Sequence, residues 1–448
     1  MKKLFFAALL IWAFCISASA QTATSDTARM SLQQCIDYAL ANQVNIRNAR
    51  LDEEISMRHT QEVTGLALPQ IDASLDVTDF LKLPTSLIPA EFFGGEPGTF
   101  AAVQFGTQWN ATASLQASQL VLDGRYFLGL KAARALADLS SLDVHRNEIE
   151  TVEAVMKAYL SSLIAERRLQ QLDVNITRFK KLFEDTKALY QAGFVEKLDV
   201  DRITVNYNNL ITEKGNVERL TALSSLVLKF QMGMDVNRGI FLTDSIGEDN
   251  FEAVLQNSGT PDLNNRVEYQ QLLTGKSLAQ MDVQRYNIGY LPSLYAFGSL
   301  SYQAQREEFN FFNNGRWYST GLIGLKLSLP IFDGLQKARQ VQQARLSLQK
   351  SENNIENFRN AMNLQVSSAE ANMQNAISRL TSQKSNLDLA KEVVDISRKK
   401  FELGAGSSLE VTDAEGSLKD AETNYLSALY DAWIARIDLQ KAFGSLYK

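Results

Sequence analysis

Apolar and polar residues alternate with a period of two along four short stretches of the chain. In the first, Ile71, Ala73, Leu75 and Val77 fall on one face, and Asp72, Ser74, Asp76 and Thr78 on the other. In the last, Ile323, Leu325, Leu327 and Leu329 oppose Leu322, Gly324, Lys326 and Ser328. This alternation predicts two-faced strands at about 70–80, 109–122, 293–303 and 318–331. Each is near the ten-residue length of a tilted membrane strand.

The period changes after Asp123-Gly124 and Asp333-Gly334, two pairs that close the strands and whose aspartates suit helix N-caps. From Gly124 to Gly193 and from Gly334 to Gly404 there is no proline and almost no interior glycine. The pattern predicts long helices over 124–192 and 334–403, each about 100 Å at roughly 1.5 Å per residue. Their apolar seams step by three and four: Leu169, Leu172, Ile176, Phe179, Phe183, Thr186 and Tyr190 in one, with Met373, Leu380, Leu387, Val394 and Phe401 seven apart in the other. Such spacing packs knobs into holes against neighbouring helices. Shorter helices are expected from Ser31 to Gly65, stopped by Pro69, and at about Asp199–Met232 and Glu410–Phe443. Two short helices stacked end to end match one long helix, which sets the turns at Gly193 and Gly404 at a common tip.

The order of these features is written twice. Leu-Val-Leu-Asp-Gly at 120–124 returns as Leu-Pro-Ile-Phe-Asp-Gly at 329–334, and Gly193/Gly404, Leu198/Leu409, Asp199/Glu410, Val200/Val411 and Gly233/Gly444 are each 211 residues apart. Leu68-Pro69 matches Leu291-Pro292 upstream. The chain therefore divides into a first repeat (21–233), a linker rich in Asp, Asn, Gly and Pro (234–262) and a second repeat (263–448). The first strand-to-strand connection is the longer one, and a self-packed hairpin is the expected form for Leu-Pro-Thr-Ser-Leu-Ile-Pro-Ala-Glu-Phe-Phe-Gly-Gly-Glu-Pro-Gly at 83–98. A fold over a channel mouth and a surface for a partner are its alternatives. In the second connection, Phe309, Phe311, Phe312, Trp317 and Tyr318 fit an interfacial aromatic girdle.

Residues 1–20 read as a secretory signal: Lys2 and Lys3, an apolar run from Leu4 to Ile16, then Ala18-Ser19-Ala20 before the expected cleavage. A lipid-modified Cys15 is the competing reading, against which Trp12, Ala13 and Phe14 supply the wrong context. Cleavage would leave 43 basic against 51 acidic residues and Cys35 as the one cysteine. The acidic balance argues against a nucleic-acid partner, and a single cysteine allows no intrachain disulfide. No later stretch is apolar for the length a membrane helix needs, so a membrane crossing must use strands. His59 and His145 lie within predicted helices without a metal-like partner four residues on, and no nucleophile, base, metal set or phosphate loop assembles. No enzyme activity, metal or cofactor is expected.

Four strands cannot close a barrel, so the chain must oligomerise. The exported start, the duplicated order of strands and long helix, Leu-Pro-Ile-Phe-Asp-Gly at 329–334, and Phe-Glu-Leu-Gly-Ala-Gly-Ser-Ser-Leu-Glu-Val-Thr-Asp-Ala at 401–414 together resemble the TolC-type outer membrane efflux family over the whole mature chain. Asn265-Arg266-Val267-Glu268 is similar to the family's opening of the second repeat, read here as helix capping and ion pairing. The resemblance implies a mainly α fold with a transmembrane β-barrel: a homotrimer with twelve strands in the outer membrane and an α-helical barrel in the periplasm. It implies a passive duct for small molecules, docked to a periplasmic adaptor protein and an inner-membrane pump, in contact with outer-membrane lipid. By motif, the family's constriction acids correspond to Glu410 and Asp413, with Asp199 as the first-repeat counterpart of Glu410. A helix-start role is the alternative for Asp199 and Glu410. Phe401 stands where the family often has an aromatic hydroxyl, and Gly406 where it often has a basic residue, so tip closure here must use a different network. Gly193, Gly404 and Gly406 mark the tip turns at which an adaptor would dock. The competing functions are the outlet of a type I protein secretion system and a non-channel periplasmic coiled-coil protein, and the latter has no use for four amphipathic strands.

Overall fold

The structure is a computed structural model that describes residues 28–256, 262–313 and 315–447. The expected signal segment, Cys15 and the linker residues 257–261 lie outside the described residues. In chain order the elements are β1 (Ala28–Met30), α1 (Leu32–Asn42), α2 (Val44–Gly65), β2 (Gln70–Asp79), β3 (Thr85–Pro89), β4 (Phe100–Gln104) and β5 (Trp109–Leu122). There follow α3 (Gly124–Gln191), α4 (Lys197–Met232), β6 (Ile240–Leu242), α5 (Phe251–Gln256), α6 (Val267–Ile288), β7 (Ser293–Arg306), β8 (Tyr318–Ser328), α7 (Gln336–Glu402) and α8 (Ser408–Ala442). They form two compact units, one of residues 49–145 and 267–360, the other of the remaining described residues.

The first unit holds an antiparallel sheet in the order β2-β5-β7-β8. Its register decides what the sheet is for. Val77 pairs with Ala111, Ala111 with Ala304, Leu115 with Leu75 and Leu300, and Leu300 with Gly321. Because side chains alternate across a strand, this register sets Ile71, Ala73, Leu75 and Val77 on one face with Ala111, Ala113, Leu115 and Ala117. The same face carries Leu294, Ala296, Leu300 and Ala304 of β7 and Ile323, Leu325 and Leu327 of β8. The opposite face carries Asp72, Ser74, Asp76, Thr112, Ser114, Gln116, Ser299, Ser301, Gln303, Thr320 and Lys326. A slip of one residue would mix the two sets. Much of the apolar face is bare, with Ile71, Leu75, Ile323, Leu325 and Leu327 all exposed, while Ala111 and Ala304 are buried with Phe311. β8 stops at Ser328, short of the expected 331, because Pro330 has no N–H to continue the ladder. Helices flank the strands in the same unit, α2 meeting α3 through Ser56 Oγ and Ser140 Oγ (2.6 Å), and α6 meeting α7 through Lys276 and Glu352 (3.0 Å).

The second unit is helical. Its core joins Cys35, Ile36 and Ala39 of α1 to Val152, Val155, Tyr159 and Leu163 of α3 and to Leu228 and Met232 of α4. Burial pushes the Cys35 thiol up to about 12, so it behaves as the small apolar residue the sequence suggested. The Leu169–Tyr190 seam faces α4, where Leu172 and Phe179 pack on Leu210 and Val217. The seven-residue series of α7 meets α8, with Leu387 and Val394 against Ala414, Leu418 and Ala421. β6 pairs in parallel with β1, and residues 244–251 strap the helices: Asp244 accepts from Tyr159 Oη (2.9 Å), while Glu248 accepts from Tyr425 Oη (2.7 Å) and pairs with Lys384 (2.5 Å). Asp249 pairs with Arg436.

Two expected helices differ. The stretch expected as one helix from Ser31 to Gly65 is broken at Gln43, which turns extended (ψ 129°) and offers its side-chain oxygen to Asn45 N–H (2.5 Å). Gly233, in the left-handed region at φ +69°, backs onto this break so closely that a Cβ would lie 2.8 Å from the Asn42 carbonyl oxygen. The second repeat has the same device: Gly444 at φ +67° backs onto Asn265, and Arg266 is extended. Arg266 is buried and donates to Gln365 Oε1 (3.2 Å) and to the Ala442 carbonyl (3.1 Å), so it caps the end of α8. The second long helix begins at Gln336 because Gly334 and Leu335 both adopt positive φ, 65° and 68°.

Candidate functional site: the helical tip

The helical unit ends in two matching turns. α3 closes on Gly193 (φ +82°), with Phe194 N–H bonded back to the Leu189 carbonyl at 2.9 Å, and α7 closes on Gly404 (φ +71°), with Ala405 N–H bonded to Lys400 O at 2.9 Å. Both are helix stops in which a glycine takes the left-handed residue, and the space a Cβ would fill is open at each. Gly406 is glycine for a different reason. A Cβ there would stand 3.0 Å from Lys400 Cβ and 3.2 Å from the Phe401 nitrogen, so the return chain crosses the helix end closely and a side chain would have to displace it by a few tenths of an ångström.

The acids of the tip separate into two kinds. Glu410, in the first turn of α8, and Asp413, three residues on in the second, are exposed and share one helix face. The N-cap of that helix is Ser407, whose Oγ accepts from Glu410 N–H at 3.2 Å. Asp199 is half-buried and has both oxygens engaged. Oδ2 accepts from Glu196 N–H (3.3 Å) in a capping box, and Oδ1 accepts from Ser408 Oγ (2.9 Å), which ties the first-repeat turn to the second-repeat helix start. Phe401 packs with Phe183 on Leu182, Ile203 and Val411.

Four charged residues of this region escaped the reading of the sequence. Glu415 is 1 % exposed, lies 3.3 Å from Arg178 Nε and also pairs with Arg398. Arg178 reaches on to Glu422 at 3.3 Å and to Asn175. The cluster joins α3, α7 and α8 through side chains alone. Its signal was present: Val411, Glu415, Leu418 and Glu422 step by four, three and four, and Asn175, Arg178 and Leu182 by three and four. These are seam positions occupied by polar residues, on a second face of α3 beside the one that meets α4.

The sheet has a mainly apolar and a mainly polar face and, among the described residues, two unpaired edges; the helical unit returns its long helices through glycine turns. The family model for "outer membrane efflux protein" matches residues 266–445. Over that segment, the second of the two repeats, the chain is similar to this family. It is 22 % identical to the outer membrane protein TolC of Vibrio cholerae over 340 residues, 75 % of this chain and 77 % of that protein. To the alkaline protease secretion protein AprF of Pseudomonas aeruginosa it is 21 % identical over 332 residues, 72 % and 67 % of the two chains. The solved structure of CusC, studied for folding and transmembrane channel formation, superposes with a TM-score of 0.73 at 17 % identity, covering 92 % of this chain and 91 % of that one. The relatives that match are outer-membrane and channel proteins. Among the described residues no helix is long and apolar enough to cross a membrane, and no group of His, Cys, Asp and Glu is set to hold a metal ion.

Proposed function

We propose that three copies close their sheets into a twelve-stranded barrel and that the assembly is a passive export duct for small molecules, joined at its helical tip to a periplasmic adaptor and an inner-membrane pump. The observation that carries this reading is the register. Four strands gather Ile71, Leu75, Leu115, Leu300, Ile323, Leu325 and Leu327 on one face, with Asp72, Asp76 and Lys326 on the other, and β2 and β8 leave their outer edges unpaired among the described residues. Bare apolar surface of that extent belongs in lipid, and open edges belong against another strand. Three-fold symmetry then repeats Glu410 and Asp413 as rings of carboxylates, a filter that favours cations. Asp199 serves the ring by fixing the start of α8 through Ser408, and Phe401 sets the approach of the two tip turns. The turns at Gly193, Gly404 and Gly406 are the surface offered to the adaptor. AprF is named for the secretion of a protein, so a protein-secretion outlet is the second reading, and the pump with which this subunit co-purifies separates the two.

The test is single-channel conductance in a planar bilayer, comparing wild type with the Glu410→Ala, Asp413→Ala double variant across added divalent cations. Steady cation-preferring pores whose divalent block weakens in the variant support the duct and the acidic ring. Block that is unchanged in the variant removes these two residues from the constriction, and a protein that forms no pores at all removes the duct.

A further inference from the structure

The connection between β2 and β5 is a built element whose surface is wrong for water. β3 and β4 pair from Thr85↔Gln104 to Pro89↔Phe100, and the tip is closed by a 3-10 turn over Ala90–Phe93. Ala90 N–H bonds to the Thr99 carbonyl (2.8 Å), Glu91 Oε1 accepts from Gly98 N–H (3.1 Å), and Gly95 sits where a Cβ would meet Ala90 Cβ at 2.8 Å. One face of this hairpin, with Ile88, Ala101 and Val103, is half-buried. The other carries Leu87, Pro89, Phe100 and Ala102, all exposed, and the tip adds Phe92 at 79 % and Phe93 at 63 % exposure. Thr85 and Gln104 end that face at the base of the hairpin, and the contiguous exposed apolar patch of Leu87, Pro89, Phe100 and Ala102 marks a contact surface.

A second patch of the same chain is also uncovered. Phe309 of the β7–β8 connection packs edge to face on Trp109 of β5 and on Phe311, while Phe312 is 92 % exposed and Tyr318 is exposed at the start of β8. The strand order places these two patches at opposite edges of one sheet: the hairpin leaves from the end of β2, and the aromatic connection enters β8. In an up-and-down barrel the neighbour's β8 runs antiparallel to β2, which sets the start of that β8, Tyr318, beside the end of β2, Asp79. Closing the barrel therefore brings the hairpin of one copy to the 307–318 connection of the next.

We propose that the apolar face of the β3–β4 hairpin docks on the 307–318 aromatic connection of the neighbouring copy, so that each seam of the barrel is clasped outside its strands. The inference rests on the trimeric-barrel reading. The occupant is a second copy because the hairpin starts six residues beyond the edge strand that must pair with that copy, so its contact continues the seam. The clasp gives each protomer a side-chain contact specific to its neighbour, where backbone pairing of edge strands alone selects no partner.

The experiment places photoreactive p-benzoylphenylalanine at Phe100 of the full chain, and in a control at Ile323 in mid-strand, and irradiates outer membranes. The expected result is a dimer-sized adduct on a denaturing gel from position 100, mapped by mass spectrometry to residues 307–318, with none from position 323. The Leu87→Ser, Phe100→Ser variant is expected to dissociate from trimer to monomer at a lower temperature than wild type. A trimer by native mass spectrometry whose position-100 adduct stays within its own chain, or goes to lipid or to a different protein, overturns the clasp and leaves the trimer standing. Absence of any trimer overturns both.

Discussion

Replacing Glu415 by glutamine tests the buried charge cluster at the tip. The Glu415 side chain is 1 % exposed and lies between Arg178, 20 % exposed, and Arg398, 37 % exposed. The amide keeps the shape and removes the charge that both guanidinium groups face. Leaving a buried ion without its partner costs about 3–5 kcal/mol. Here the loss is smaller, because Arg178 keeps Glu422 and Arg398 is partly solvated, and about 2–3 kcal/mol is expected. The cost falls on local opening of α7 and α8 near the tip, since the sheet belongs to the other compact unit. Hydrogen exchange of the detergent-solubilised protein reads that opening directly, and at tenfold per 1.4 kcal/mol protection over 398–418 should fall by roughly 30- to 140-fold. Exchange within threefold of wild type in that segment would refute the assignment of the cluster as the lock between the three helices.

Gly233→Ala and Gly444→Ala each combine a left-handed φ with a Cβ 2.8 Å from a carbonyl oxygen, whereas Gly193→Ala has the φ alone; the first two should melt clearly lower in detergent than the third, which loses only about 1–2 kcal/mol, and equal melting would contradict the close approach. Hydrogen bonding from Lys384 and then Tyr425 holds the Glu248 carboxyl below its ordinary value of 4.5. Its contribution to the linker strap is therefore complete above that value and is lost as pH falls through the lower folded one; a spin label on Ser245→Cys should gain mobility in that acid range, and at neutral pH once Lys384→Gln is made. Cys35, fully buried with its thiol raised to about 12, should resist maleimide at pH 8 until denaturant is added; rapid labelling of the folded trimer would contradict the packed α1–α3–α4 core.

What could be read before the structure was what has a period. Alternation along Ile71–Val77 and Ile323–Leu327, the absence of proline between Gly124 and Gly193, and the spacing of Asp199/Glu410 and Gly233/Gly444 are properties of residues near in sequence or repeated at fixed distance. The break at Gln43 carries no such mark, because neither glycine nor proline sits there; the chain turns where Gly233, far away in sequence, lies against Asn42. Glu415 and Arg178 were hidden for a related reason. Each looks like a solvated helix charge until the second seam of α3 is known to face α8. Gly406 read as a missing basic residue, and only the crossing over Lys400 shows how little room a side chain would have there. Arg266 read as a local cap, and its partner Ala442 is at the far end of the repeat.

The central claim is that the four-stranded sheet is part of a membrane barrel with the Ile323 face in lipid and the Lys326 face in water. Single cysteines placed in turn from Gly321 to Leu327 of β8, in a Cys35→Ala background, test it in outer-membrane vesicles with a membrane-impermeant maleimide. The account predicts labelling at 322, 324 and 326 and protection at 321, 323, 325 and 327, with the protected set modified instead by a lipid-soluble reagent. Uniform labelling along the strand, or protection that does not alternate, would contradict it.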